Sequence, residues 1–313
     1  MGVDKESEEL KAEIKKLKKE KNAVILAHYY QQGNIQDIAD FIGDSLALAQ
    51  IARNLKETTI VLCGVHFMGE TAKILCPNKT VLVPDLNAGC SLADSCKAED
   101  FEEFLKNYPD HTVVSYVNTS AAVKALTDIV VTSSNAKKIV DSLPEDAKIV
   151  FGPDRNLGNY INSSTGRNMV LWDGACHVHE QFSLERLLEL KKQYPEAEVL
   201  AHPECKKPVL MVADVIGSTA ALLEHSKKSK VKQFIVATES GILHEMQKAS
   251  PHKEFIPAPP TDSTCGCNDC NFMKLNTLEK LRNCLRDGSP EIKVDKEIAS
   301  KAVKPIERML NLS

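Results

Sequence analysis

Short apolar runs alternate with amphipathic stretches from residue 24 to about residue 260. Val24-Ile-Leu-Ala, Ile60-Val-Leu-Cys, Val81-Leu-Val, Val113-Val-Ser-Tyr, Ile129-Val-Val, Ile149-Val-Phe, Met169-Val-Leu-Trp, Val199-Leu-Ala, Phe234-Ile-Val-Ala and Phe255-Ile-Pro read as buried strands. The segments between them read as helices, and strands alternating with helices predict a parallel α/β architecture. Leu10, Ile14 and Leu17 place an amphipathic helix over residues 6–21, ahead of the first strand. Two more helices close the chain. One carries Leu275, Leu278, Leu281 and Leu285 and stops at Gly288; the other runs from Asp295 to Leu310 and contains Pro305.

This alternation has a period. His28, Tyr116 and His202, spaced by 88 and 86 residues, each stand at the polar end of a strand. Two positions on come Tyr30, Asn118 and Glu204; twelve positions on come Asp40, Asp128 and Asp214, each followed by two apolar residues. Seventeen positions on come Ser45, Ser133 and Thr219, beside Asp44, Ser134 and Ser218, at the entrance to helical stretches. Shared offsets in three copies predict three small αβα sandwich units with parallel sheets, related by a pseudo-threefold axis around a central cavity. The units span residues 1–91, 92–177 and 178–262; residues 263–313 form a cysteine-bearing loop and helices that pack back on the first unit. A serine before a helix is by itself an ordinary cap, and a lone His or Tyr is usually a core residue. Three strand ends and three helix N-termini aimed at one cavity make a site for phosphate or carboxylate groups instead. The three aspartates read as turn or cap residues, outside that site.

Composition changes the picture at the cysteines. A chain of 313 residues buries its cores without disulfides, so ten cysteines read as thiols of a reducing compartment. Cys265, Cys267 and Cys270 crowd into six residues. Cys90, in Asn87-Ala-Gly-Cys-Ser, and Cys176, in Gly174-Ala-Cys-His, stand 86 residues apart, each after the fourth strand of its unit. Three thiolates from three units suit a 4Fe-4S cluster with one open iron, or zinc with an open fourth position. Repeat spacing points to Cys265, 89 residues after Cys176, as the third. Glu204 is a candidate acid or base, with Cys205 beside it turned into packing; His66 and Arg155 are weaker candidates. The net charge of −4 and the lack of any apolar run near ~20 residues predict a cytoplasmic protein with no nucleic-acid or membrane partner.

The motifs Ala27-His-Tyr-Tyr-Gln, Cys63-Gly-Val-His-Phe-Met-Gly-Glu-Thr-Ala-Lys, Pro84-Asp-Leu-Asn-Ala-Gly-Cys-Ser-Leu-Ala-Asp, Pro153-Asp-Arg-Asn-Leu-Gly, His202-Pro-Glu-Cys and Asn271-Phe-Met-Lys-Leu-Asn occur in order along the chain. Together they resemble the quinolinate synthase family over nearly the whole length. The resemblance implies a 4Fe-4S enzyme of de novo NAD biosynthesis, condensing iminoaspartate with dihydroxyacetone phosphate to quinolinate, phosphate and water. Coupling to an L-aspartate oxidase or dehydrogenase is implied with it. The family's cluster ligands fall on Cys90, Cys176 and, against the repeat spacing, Cys270, three residues before Met273. Cys265 and Cys267 then become bystanders or a redox pair. Where family members often have proline after the third ligand, this chain has Asn271.

On this reading Tyr30, Tyr116, His202 and Glu204 move protons, while His28, Asn118, Ser45, Ser133, Ser218 and Thr219 hold phosphate and carboxylates. Gly33 is a candidate hinge for opening the cavity. Two other readings stand beside it. One is a cluster-dependent hydro-lyase acting on a different anion; the other is a non-enzymatic zinc or redox protein using Cys265, Cys267 and Cys270 as a local knuckle.

Overall fold

The computed structural model describes residues 2–262 and 268–313, with side chains from residue 7 onward. Cys265 and Cys267 therefore lie outside the described residues. Twelve strands form three separate four-stranded sheets. The first holds β1 (Ala23–His28), β2 (Phe41–Gly43), β3 (Thr59–Cys63) and β4 (Thr80–Leu82). The second holds β5 (Thr112–Tyr116), β6 (Ile129–Val131), β7 (Ile149–Gly152) and β8 (Val170–Leu171). The third holds β9 (Glu198–Ala201), β10 (Val215–Ile216), β11 (Gln233–Ala237) and β12 (Glu254–Pro257). All pairings are parallel, and each sheet has the same order: β2-β1-β3-β4, β6-β5-β7-β8 and β10-β9-β11-β12. Central strands such as β1 are buried along their whole length, as expected where helices cover both faces of a parallel sheet.

β2 and β10 were not evident as strands in the apolar pattern. They are the apolar pairs that follow the first and third repeat aspartates, too short to hold their own register. The aspartates supply it. Asp40 accepts the Ile25 N–H on its carboxylate at 2.8 Å and donates its own N–H to the Ile25 carbonyl at 2.9 Å. Asp128 does the same to Val113 at 2.8 and 2.9 Å, and Asp214 to Val199 at 2.7 and 2.9 Å. Each carboxylate thus extends the ladder by one side-chain bond and pins an edge strand to the central one.

A second device repeats at the opposite ends of the helices. Lys79, Arg167 and Lys253 share the repeat intervals of 88 and 86 residues. Lys79 donates to the Leu55 and Glu57 carbonyls after the helix Ser45–Asn54. Arg167 donates to Leu143, Pro144 and Glu145 at 2.6–2.7 Å, after the helix Ala136–Asp141. Lys253 reaches Ser226 and Ser229 at 2.5 and 2.6 Å, at the end of the helix Thr219–Lys228. Each cation meets orphan carbonyls at the negative end of a helix dipole. With each C-terminus neutralised on the outside, the N-termini are left facing the cavity.

The helix Gly2–Glu20 packs on the helix Leu278–Asp287, joining Ile14, Leu281 and Leu285 to Ile25 and Val61 of the first sheet. The last helix, Lys296–Leu312, packs on the second unit as well as on the first. It lies on β6 and on the helix Ala121–Lys124, reaching the first unit through the helix His66–Leu75. Its buried stripe of Ala302, Ile306 and Met309 covers β6, which stands at the open edge of the second sheet. No described helix is long and apolar enough to cross a membrane.

Candidate active site

The C-terminal ends of the central strands open into one cavity of about 720 Å³, its mouth included. Residues from all three units line it, as expected where parallel strands present their carboxyl ends. His28, Tyr30, Ser45, Cys90, Tyr116, Asn118, Ser133, Cys176, His202, Glu204, Thr219 and Cys270 all face it. Ser218 does not. Its hydroxyl accepts the Ala221 N–H at 3.3 Å and caps the helix that begins at Thr219. In the first unit the cap is Asp44, which accepts from Ala47 N–H at 2.9 Å and from the Ser134 hydroxyl at 2.7 Å. Of the weaker candidates, Arg155 pairs with Asp173 and Glu180 away from the cavity. Cys205 turns into packing, against the Ala237 carbonyl.

His28 and His202 share one local turn. In each, Nδ1 accepts the N–H two residues on, from Tyr30 at 3.1 Å and from Glu204 at 3.3 Å, so strand end and neighbour are rigidly linked. The side chains then bond between units. Tyr30 Oη meets the hydroxyls of Thr219 and Thr238 at 2.8 Å each. The Tyr116 hydroxyl donates to Glu204 Oε1 at 2.5 Å, and His179 Nδ1 lies 3.0 Å from Glu204 Oε2. His179 Nε2 reaches Thr238 at 3.0 Å, and the His179 ring stacks on His202 with centroids 4.8 Å apart. One continuous chain therefore runs Tyr116–Glu204–His179–Thr238–Tyr30.

The electrostatics of this chain follow from burial and one carboxylate. Burial alone would raise the Glu204 carboxyl, but His179, His202 and the hydrogen bonds from His179 and Tyr116 outweigh it and hold it well below the usual carboxylate range. Burial, then the Glu204 charge, pushes both Tyr30 and Tyr116 well above the ordinary phenol value. Burial likewise pushes His28 down to about 4 and His202 down to about 3. At neutral pH the cavity presents the neutral phenols of Tyr30 and Tyr116 and the neutral imidazoles of His28 and His202 around an ionised Glu204. Asn118 lines the cavity, and its Oδ1 is buried without a hydrogen-bond partner.

The three thiols sit on equivalent turns. Cys90 and Cys176 precede the short helices Ser91–Asp94 and His177–Glu180, and Cys270 precedes the 3-10 turn Met273–Leu275. The carbonyl of each accepts the N–H four residues on, from Asp94 at 2.9 Å, Glu180 at 3.0 Å and Lys274 at 3.1 Å. The following N–H groups also aim at the sulfurs, a cradle that favours thiolate. In the free thiols burial outweighs this cradle and pushes all three up, Cys90 to about 12. Cys90 also feels the charge of Cys270, and Cys176 that of Cys90, as converging thiols must. Donors of this kind fit a thiolate-ligated cluster: three sulfurs from three chain segments, dry surroundings and N–H groups turned toward sulfur. A second set of possible ligands overlaps the first, since donor atoms of Cys176, His179 and Glu204 lie within 4.8 Å of one another.

Several lining or supporting residues were not found from sequence. His177 and His179 stand in Cys176-His-Val-His, where a His beside a repeat cysteine was available as a signal. His177 Nδ1 meets the Ser91 hydroxyl at 2.6 Å, and its ring meets Phe272 edge-on, so the residues next to the thiols join the three loops. Asp154 and Glu239, 85 residues apart, lie two positions beyond the ends of β7 and β11. A repeat search anchored only on the first strand of each unit passes over them.

The family model described as quinolinate synthetase A protein matches residues 12–311. The quinolinate synthase of Thermosynechococcus vestitus is 59% identical over 305 residues, covering 97% of this chain and 96% of that protein. That of Synechocystis sp. is 60% identical over 300 residues, covering 96% and 94%. That of Chloroherpeton thalassium is 58% identical over 301 residues, with the same coverage of 96% and 94%. Extended over nearly the whole of each chain, this similarity means that the present chain belongs to the quinolinate synthetase A family.

Proposed function

We propose that this chain condenses iminoaspartate with dihydroxyacetone phosphate, releasing quinolinate, phosphate and, by atom balance, two molecules of water. Cys90, Cys176 and Cys270 hold a 4Fe-4S cluster, and an L-aspartate oxidase or dehydrogenase supplies the imine. The observation that carries the reading is the meeting of three matched thiol turns and the Tyr116–Glu204–His179 chain in one cavity. The names of the relatives support the same activity. When bound, the cluster supplies an open iron that polarises a substrate oxygen or nitrogen as a Lewis acid.

The chain's own residues supply binding and protons. The N-termini at Ser45 and Thr219, with the hydroxyls of Ser45, Ser133 and Thr219, hold phosphate and carboxylate oxygens. Ser218 serves this by capping the helix rather than by contact. His28 and Asn118 orient the substrates from the cavity wall. Ionised Glu204 takes a proton from carbon or nitrogen, and the protonated Tyr116 hydroxyl bonded to it returns one to a leaving oxygen. Tyr30, held by Thr219 and Thr238, does the same from the first unit, and His202 keeps Glu204 in position by accepting its N–H and by stacking on His179.

A second reading has one specific observation in its favour: a single metal ion on Cys176, His179 and Glu204. One experiment separates the two. Chain purified under nitrogen is assayed for iron, sulfide and quinolinate formation, alongside Cys90→Ala, Cys176→Ala and Cys270→Ala. The cluster reading expects all three variants to lose sulfide, iron and turnover together. Metal that persists in Cys90→Ala and Cys270→Ala but not in Cys176→Ala points to the single-ion site. Full iron and sulfide with no quinolinate overturns the activity.

A further inference from the structure

We propose that Asp154 and Glu239 are positioning residues for the thiol loops, each fixing one ligand cysteine by its backbone rather than by its sulfur. Asp154 Oδ2 accepts the Cys176 N–H at 3.2 Å, and Glu239 Oε1 accepts the Cys270 N–H at 3.0 Å. Both carboxylates are wholly buried. They occupy one structural position, two residues beyond the end of the strand that pairs with the opposite side of the central one, β7 in the second sheet and β11 in the third. A buried carboxylate is expensive unless its oxygens are bonded, so its presence twice at one position calls for a function beyond packing.

The second oxygen of each carboxylate is bonded at the start of the helix that follows its strand, Asp154 being the N-cap of the helix Arg155–Thr165. Asp154 Oδ1 accepts the Leu157 N–H at 2.7 Å, and Glu239 Oε2 accepts the Gly241 N–H at 2.7 Å. Each side chain therefore bridges the turn after its strand and the start of a cysteine turn. Glu239 extends further: Lys274 Nζ pairs with its Oε1 at 2.8 Å and donates to the Tyr30 carbonyl at 2.8 Å. The Cys270 turn is in this way tied to the strand end that presents Tyr30. In the first unit Val65 stands at the matching position, and the Cys90 loop is held by main chain, with His66 N–H on the Ala88 carbonyl at 2.7 Å. A carboxylate thus accepts the N–H of Cys176 and of Cys270, whereas in the Cys90 loop the carboxylate of Asp85 accepts the N–H of Asn87 at 2.8 Å instead.

This inference rests on the three-cysteine reading, and its test separates the two. Asp154→Ala, Asp154→Asn, Glu239→Ala and Glu239→Gln are reconstituted with iron and sulfide under nitrogen, and iron release to a ferrous chelator is timed. The alanine variants should release iron ~10- to 100-fold faster than the parent, the range by which loss of a ligand's hydrogen-bond partner weakens metal binding. Asn and Gln keep one acceptor, enough for the cysteine N–H but not also for the Leu157 or Gly241 N–H, and should release iron more slowly than the alanine variants but faster than the parent. Ser183→Ala, which removes the cap of the helix Leu184–Gln193 without touching either carboxylate, controls for lost stability and should leave release unchanged. Alanine variants that hold iron like the parent, or Ser183→Ala releasing it as fast as they do, overturn the proposal. If the parent takes up no cluster, the three-cysteine reading fails by itself, and alkylation of the metal-free chain by iodoacetamide decides the positioning. Mass spectrometry should then find Cys176 labelled faster only in Asp154→Ala and Cys270 only in Glu239→Ala, with Cys90 unchanged; equal labelling throughout refutes it.

Discussion

The bond from the Tyr116 hydroxyl to Glu204 gives the sharpest test of the chemistry. It is 2.5 Å long, joins two units, and both residues are at most 5% exposed. A hydrogen bond to an ionised group in such surroundings is worth about 1.5–3 kcal/mol. Converted at 1.4 kcal/mol per decade, that is roughly a 10- to 150-fold effect. Tyr116→Phe deletes the donor, and Glu204→Gln leaves a neutral carbonyl where the carboxylate stood. If the pair moves protons as a unit, each single change should lower kcat/KM by about 10²- to 10⁴-fold, the usual share of general acid–base catalysis. The double variant should then be little worse than the weaker single one, since either change already breaks the unit. The assay is quinolinate formation under nitrogen, with iminoaspartate generated in place from L-aspartate and with iron, sulfide and thermal unfolding checked in each variant. Losses that multiply in the double variant, to within about 0.5 kcal/mol, would falsify the coupled pair. Unchanged turnover in both single variants with intact cluster removes them from the mechanism altogether.

Two further outcomes follow from burial. Lys253→Met strands the Ser226 and Ser229 carbonyls in a site only 7% exposed, so it should cost about 3 kcal/mol or more by thermal unfolding. Lys79→Met, where water can reach the carbonyls, should cost nearer ~1 kcal/mol; equal losses would show that burial does not set the scale. The second outcome concerns acid. His28 is held at about 4, below the ordinary imidazole value of about 6.5. A depressed folded-state value means that the unfolded chain binds the proton first, so stability is complete above pH ~6.5 and is lost as pH falls toward 4. Asp154 and Glu239, which burial pushes up, bend the whole curve the other way, so the useful quantity is a difference. Relative to the parent, His28→Asn should gain about 2 kcal/mol between pH 7 and pH 5. Parallel unfolding curves across that range would refute a buried neutral imidazole.

Most of the architecture was legible because it is repeated. An α/β unit is built from contacts close in sequence, so its strand ends and helix starts keep fixed offsets, and three copies made His28, Tyr116 and His202 visible together. The same repeat held β2, β10 and the cations Lys79, Arg167 and Lys253, which hydrophobicity does not mark. Ser218 was placed among the ligand-holding residues because a cap and a ligand-facing hydroxyl have the same sequence signature; only the direction of its bond to Ala221 N–H separates them.

What sequence determined by itself was the number of units, their parallel sheets, and a cavity ringed by strand-end polar groups and single cysteines. Tertiary structure decided the partners. That His179 is the neighbour of Glu204, that Asp154 and Glu239 hold cysteine N–H groups, and that the last helix covers β6 as well as the first unit's helix His66–Leu75 are contacts made across packed surfaces. It also brought Cys270, 94 residues after Cys176, into the same turn geometry as Cys90 and Cys176. The reason is physical: offsets within a unit are set by strand and helix lengths, whereas contacts between units are set by which surfaces are left uncovered and which buried polar atoms still need a partner.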